Sequence, residues 1–389
     1  MQAYKINDSV YWVGAIDWQV RDVHGYSTER GTTYNAYLII DDKITLIDNV
    51  KEQFASEMIQ RIKSVVDPEK IEVYISNHTE PDHSGALLDI LALMPKAKIY
   101  SSSPNGVKFL DAIFGKLQNE VVPVKTKDTL KIGKRELVFY QAPMVHWPDN
   151  MVTYDSYDKI LYSNDIFGQH YATSNLFDYD NDINVLTKEV KKYYANIVLP
   201  YSRQANKILE AAKTLDIKTI ATSHGVIWEK HIKDVYKLYE QMTTHHKEEM
   251  AVVVYNTMWG STEKMAISIT EAFRNKGIPV RLYNLENSDH SEILTDVMEA
   301  KYLALGSSTF NNSILPTTAA FLSYLKGLAP VNIKTIAFGS YGWGGQSVGI
   351  IEKEFLSMGF DLLVPSIKHL HRPDEEALNE MMKYIEDSL

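Results

Sequence analysis

The 389-residue chain contains no cysteine. That absence excludes disulfides, thiolate-held zinc, cysteine-ligated iron–sulfur clusters and thiol nucleophiles. Any transition metal must therefore be held by imidazoles and carboxylates. No apolar run approaches the roughly 18 residues of a membrane span. The opening stretch MQAYKINDSVYWVGAIDW has neither a basic head nor a long apolar core, so it does not read as a signal peptide. Positive charge is in deficit: 40 Lys and Arg stand against 50 Asp and Glu, for a net charge of −10. This balance argues against nucleic acid as the main partner. The expectation is a cytoplasmic protein that binds neither nucleic acid nor membrane. Internal repeats, low-complexity tracts, a Walker A loop and a G-x-G-x-x-G turn are all missing too.

Hydrophobic residues make up 45% of the chain and charged ones 23%, which is material for two real cores. The character of the chain changes at about residues 248–251. Up to residue 249 it is rich in short strands: YWVGAI, TYNAYLII, ITLID, EVYIS, KIYSS, ELVFYQ, MVTYD and ILYSN. Helical stretches such as KEQFASEMIQRIKSVV and SGALLDILALM fall between some of them. The pattern predicts an α/β sandwich of two sheets covered by helices. From residue 250 the alternation is cleaner. AVVVYN, VRLYNL, YLALGSS, IKTIAFGS and DLLVPSI are interleaved with helices that begin near Thr262, at TTAAFLSYLKGL, at QSVGIIEKEFLSMG and at DEEALNEMMKYIEDSL. Five strands in this order predict a doubly wound parallel sheet. The expected domains are thus 1–249 and 250–389.

The stretch ISNHTEPDHSGAL carries four strong metal ligands within six positions: His78, Glu80, Asp82 and His83. Residues i and i+2 of an extended segment face the same side, so His78 and Glu80 can grip one metal. Pro81 forces a turn, which aims Asp82 and His83 towards a second. His146 in MVHWPD, Asp165 in SNDIFGQH and His224 in TSHGV each follow a strand, where functional loops sit. One further histidine per metal, with Asp165 between them, makes a two-metal site. Imidazole plus carboxylate suits iron, manganese or zinc. His231, His245, His246, His290, His369 and His371 lack such partners in the sequence and read as ordinary.

In the second half, the loop Asn256–Thr262 runs from a strand into a helix. Thr257, Met258, Trp259, Gly260, Ser261 and Thr262 offer hydroxyls and helix-start N–H groups, the donors a phosphate needs. There is no lysine in this loop, which fits a monophosphate held by neutral donors. GSSTFNNSILP (Ser307, Thr309, Phe310, Asn311, Asn312) and GSYGWGGQS (Ser340, Tyr341, Gly342, Trp343, Gly344) end later strands. They add close backbone approach and aromatic faces for a flat ring.

The run HTEPDH, with HWPD, SNDIFGQH and SHGV downstream, resembles the metallo-β-lactamase-like αββα domain of flavodiiron proteins, the A-type flavoproteins. The second half is similar to flavodoxin throughout. Hydrolases of the superfamily carry H-x-H-x-D-H; here Glu80 takes the second position, and a hard anionic ligand favours iron over zinc. The resemblance implies that one iron takes His78, Glu80 and His146, that the other takes Asp82, His83 and His224, and that Asp165 bridges. It implies FMN in the three loops. It places His24 and Tyr194 over the open side of the metals, to bind a diatomic or supply protons, and lets His170 orient a ligand from behind. No rubredoxin-like module is expected after the second domain.

The function this implies is an oxidoreductase in which FMN relays electrons to a non-haem diiron centre that reduces O2 to water, NO to N2O, or both. Two ferrous ions and a reduced flavin together hold four electrons, which matches O2 to two waters. The family implies an electron donor such as rubredoxin, its reductase or reduced deazaflavin F420. It also implies a head-to-tail homodimer, or a dimer of dimers, that sets one subunit's FMN beside the other's irons. Two rivals compete with this reading. One is a zinc hydrolase fused to a flavodoxin, against which Glu80 argues. The other is a flavodoxin-type electron carrier with a structural partner domain, against which the complete ligand set argues.

Overall fold

A computed structural model describes residues 1–389. Its contacts divide the chain into two compact units. The first comprises residues 1–24, 28–193 and 201–240; the second comprises residues 25–27, 194–200 and 241–389.

The first unit is built on two sheets. The seven-stranded sheet runs Tyr4–Lys5, Val10–Trp12, Tyr37–Ile39, Ile44–Ile47, Ile71–Ser76, Lys98–Ser102 and Val121–Val124. The five-stranded sheet runs Thr129–Lys131, Glu136–Gln141, Met151–Asp155, Ile160–Asn164 and Thr219–Thr222. Period-2 alternation sorts the side chains between layers. Trp12, Tyr37, Ile39, Val73 and Ile75 of the first sheet meet Leu137, Phe139, Met151 and Tyr162 of the second in the central core. Leu38, Leu46, Tyr74 and Ile99 point the other way, against Met58 and Ile62 of helix Ala55–Lys63 and against Leu87 and Ile90. Helices Ile183–Tyr193 and Ser202–Lys213 bury Leu186, Val190, Ala205 and Leu209. The result is the αββα sandwich expected.

Two of the predicted strands divide. YWVGAI becomes Val10–Trp12 and Ala15–Asp17, and TYNAYLII becomes Thr32–Tyr34 and Tyr37–Ile39. The breaks lie against each other. A Cβ on Gly14 would sit 2.1 Å from Tyr34 O, so only glycine admits the crossing. Both chains leave the large sheet there and pair separately as a short ribbon.

The second unit is one parallel sheet, ordered Val280–Asn284, Glu248–Asn256, Ala300–Ser307 and Lys334–Tyr341, with Asp361–Leu362 and Ile367–Leu370 both beside the last. This is the strand order of flavodoxin. One face packs Val252, Leu303 and Leu305 against Ile293, Phe321 and Ile351. The other packs Val253, Ala304 and Phe338 against Met265, Ile269 and Ile385. DLLVPSI is not one strand, because Pro365 lacks the N–H a ladder needs. Helix His290–Glu299 was not among the helices read from the sequence; Asp289 caps it by accepting from the N–H groups of Ser291 and Glu292. The π-turn Tyr194–Val198 joins this unit, where Asn196 donates to Ser291 O at 3.2 Å and accepts from Tyr324 Oη at 2.7 Å.

Candidate metal centre and flavin cavity

The loops that follow Ile71–Ser76, Glu136–Gln141, Ile160–Asn164 and Thr219–Thr222 converge. They bring the seven expected ligand residues into two donor groups, each within 4.8 Å: His78, Glu80, His146 and Asp165 in one, Asp82, His83 and His224 in the other. Glu80 ends the extended stretch and Pro81 starts a one-turn helix, Pro81–Ser84, which swings Asp82 and His83 to the second group.

In the first group, Glu80 Oε2 lies 3.2 Å from His78 Nε2 and 3.1 Å from His146 Nε2. Asp165 Oδ2 lies 3.7 and 3.5 Å from the same nitrogens. In the second, His224 Nε2 lies 3.2 Å from Asp82 Oδ2, and His83 Nε2 lies 2.9 Å from Asp165 Oδ1. Asp165 thus shows one oxygen to each group. Donors bound to a single ion at about 2.0–2.2 Å stand roughly 3 Å apart along each edge of the polyhedron, and these spacings match. The His83 contact also lacks hydrogen-bond geometry, for both its ring nitrogens are buried without a hydrogen-bond partner. The donor set therefore fits two cations better than it fits itself.

The charges agree. Burial opposes ionisation of Asp165, yet the imidazoles of His83, His78 and His146 hold its carboxyl well below the usual carboxylate range. Burial likewise works against Glu80, and hydrogen bonds from His146, His24 and His78 more than reverse it. The Asp82 carboxyl is brought down to about 2, against its burial, by His83 and His224. A buried carboxylate stays ionised only beside a positive partner; here the imidazoles are that partner, a place a metal ion would take with the imidazoles neutral.

Behind the ligands, His78 Nδ1 meets Asp149 Oδ2 and His224 Nδ1 meets the carbonyl of Thr33. Each pairing leaves Nε2 for the centre. His24 Nε2 lies 3.1 Å from Glu80 Oε1, with its side chain 78% exposed. His170 is buried, paired through Nδ1 with Thr32 Oγ1 at 2.8 Å, and its ring lies 4.8 Å from that of His224. Tyr194 is buried in the π-turn of the second unit. Its neighbour Tyr193, which the sequence did not single out, packs its ring against His170 and His224. A KKYYAN pair offers no local signal for which tyrosine turns inward.

In the second unit a cavity of about 380 Å³ opens at the C-terminal ends of four parallel strands. Of the residues expected there, it is lined by Met258, Trp259, Ser261, Thr309, Asn311, Asn312, Ser340, Tyr341, Gly342, Trp343 and Gly344. Trp259 and Trp343 are each 93% exposed. Thr257, Gly260, Thr262, Ser307 and Phe310 stand outside the lining. Thr262 instead ties the loops together: its buried hydroxyl bonds those of Ser308 at 3.0 Å and Ser340 at 2.8 Å. Gly260 starts helix Ser261–Asn275 at φ 80°, a conformation that favours glycine. Ser308, His371 and Arg372 line the cavity too. His371, read as ordinary, is there because Ile367–Leu370 pairs with Lys334–Tyr341 and brings a fourth loop to the same edge. Arg372 adds a cation to donors otherwise neutral.

The fold and the two sites define a class: a metallo-β-lactamase-like domain followed by a flavodoxin-like one. Residues 32–225 match the family model of the ODP family β-lactamases, and residues 253–384 match that of flavodoxin. The chain is 40% identical to a nitric oxide reductase of Moorella thermoacetica, over 96% of this chain and 95% of that one. It is also 40% identical to a rubredoxin-oxygen oxidoreductase of Megalodesulfovibrio gigas, over 100% and 98%. The crystal structure of the flavodiiron protein from Giardia intestinalis superposes with a TM-score of 0.96 at 34% identity, covering 100% of this chain and 96% of that one. The chain belongs to the flavodiiron proteins and is an oxidoreductase of that type. Its flavodoxin domain implies FMN, and its family a diiron centre.

Proposed function

We propose that this chain reduces O2 to water, NO to N2O, or both, at two irons held by His78, Glu80 and His146 and by Asp82, His83 and His224, with Asp165 bridging. The observation that carries the reading is Asp165, which offers Oδ2 to one donor group and Oδ1 to the other. When bound, the irons supply electrons and open coordination positions, and FMN in the cavity of the second unit replenishes the electrons.

The chain's own residues then do the rest. A cavity of about 230 Å³, lined among others by His24, Tyr34, Glu80, Asp82 and His170, leads to the ligands. His24 stands at its exposed side. Its hydrogen bond to Glu80 raises its pKa against partial burial, which favours the protonated form that can give a proton. His170, fixed by Thr32, holds the ring of His224 in place. The division of labour falls at 249/250, with the diiron chemistry before it and FMN after. The name of the Megalodesulfovibrio relative favours rubredoxin as donor; its reductase or reduced F420 serves the same chemistry. A cytoplasmic head-to-tail homodimer, alone or paired into a dimer of dimers, would juxtapose flavin and irons of different subunits.

The test is anaerobic purification, metal and flavin analysis, then stopped-flow mixing of the reduced protein with O2 and with NO. Two irons and one FMN per chain, with turnover of at least one gas, are expected. Two zincs, no iron and hydrolytic activity would sink the proposal. A dilution series reads the assembly: specific activity should fall as the dimer dissociates.

A further inference from the structure

The two donor groups are matched in composition: two imidazoles, one carboxylate of their own and one oxygen of Asp165 each. They differ in what holds the imidazoles from behind. His78 Nδ1 lies 3.0 Å from Asp149 Oδ2, and both side chains are fully buried. His224 Nδ1 faces neutral oxygens, the carbonyl of Thr33 at 2.7 Å and, more distantly, the hydroxyl of Thr32 at 3.5 Å. His83 Nδ1 is buried with no hydrogen-bond partner. Asp149 is itself braced: the N–H and Oγ1 of Thr79 donate to the same Oδ2 at 2.8 and 2.7 Å, while Oδ1 is buried without a partner. A buried carboxylate aimed at the back of one ligand cannot be explained by solvation.

A carboxylate accepting Nδ1–H fixes the tautomer that leaves Nε2 for a metal, and pulls electron density into the ring. A carbonyl does this more weakly, and no partner does it not at all. Such supports are worth about 10–100-fold in metal affinity. We propose that Asp149 is a positioning residue that makes the two metal sites unequal, so that the ion held by His78, Glu80 and His146 binds more tightly than the one held by Asp82, His83 and His224. The inference rests on the two-metal reading above and adds an order of loading to it.

The test is an anaerobic titration of the metal-free full-length protein with cobalt(II), followed by visible absorption and calorimetry. The unaltered protein should take two ions per chain in two separable steps. Asp149→Asn is nearly isosteric, keeps an acceptor for His78 and removes only the charge; its amide N–H2 would point where Oδ1 has no partner. It should weaken the tighter step by about 10–100-fold, shift the absorption bands of the first ion and leave the looser step unchanged. In a His224→Ala background, where one site remains, the single step should show the full weakening. Two unchanged steps in Asp149→Asn, or no weakening in the His224→Ala background, would overturn the proposal and leave the two-metal reading standing. Uptake of fewer than two ions by the unaltered protein would overturn that reading, and the proposal with it. Retained FMN and an unchanged circular dichroism spectrum show that the variant is folded.

Discussion

The two sites of this molecule are built on opposite principles. The metal centre is assembled from buried, ionised groups that lock one another: Asp165 is 1% exposed, His78 and His83 not at all. The flavin cavity is open, lined by hydroxyls, backbone and two indoles that face solvent. The difference follows from the ligands. A bare ion offers no shape, so its site must hold geometry and charge in advance. A flavin brings a large rigid ring and a phosphate, and its site needs only donors at strand ends and apolar faces to close on it. The metal centre should therefore fail all at once, and the flavin cavity by degrees.

The largest expected effect breaks the first site outright. Asp165→Ala removes an oxygen from each donor group. Metal analysis should show both ions lost and gas reduction down by at least about a thousandfold, roughly the 4 kcal/mol scale of a lost buried charge partner, while FMN is retained. FMN lost together with the metals would show that the two sites are not independent.

Next comes the framework of the same unit. Arg135 is fully buried among Asp41, Asp155 and Asp158. Arg135→Met should cost about 3–5 kcal/mol in chemical denaturation, in the first unit's transition alone.

The flavin side should respond more gently. Thr262→Val removes the hydroxyl that joins three loops, and FMN affinity should fall by about tenfold, in line with one or two hydrogen bonds at about 1 kcal/mol each. Iron content should be unchanged; its loss would show that the two sites are not independent.

The last effect is one of pH, within the second unit. Lys247 donates to the carbonyls of Val297 and Met298, and burial brings its amine down to about 8, against the pull of Glu299. Below pH 8 the amine is charged both folded and unfolded. Between about 8 and the usual 10.5 the unfolded chain holds a proton that the folded one has released, so stability rises with pH across that window. Denaturation at pH 7.5 and 10 should show this rise in the second unit, and Lys247→Met should lack it. An equal rise in the variant would refute the assignment.

Much of this was legible because the relevant signals are local. HTEPDH gathers four metal-type ligands within six positions, and Gly260 at a strand-to-helix corner needs no context beyond its neighbours. The αββα and flavodoxin-like architectures follow from period-2 and period-3.6 patterns that each segment carries alone. Other features depended on distant partners. Asp149 reads as a turn residue in HWPDN, and only packing puts it behind His78, 71 residues away. Tyr193 and Tyr194 are adjacent and chemically alike, so the exit of the helix decides which one meets His170. Thr262 has a phosphate-loop address, yet two serine hydroxyls from later strands claim its side chain.

By itself, then, the sequence determined which elements could supply electrons and which atoms could bind metal, because ligand type and spacing are properties of the chain. The tertiary structure alone decided which oxygen of Asp165 faces which donor group, which imidazoles are braced and how, and that His371 and Arg372 reach the cavity. Those outcomes depend on angles and distances between segments far apart in the chain, and hydrogen bonds exist only once such segments have met.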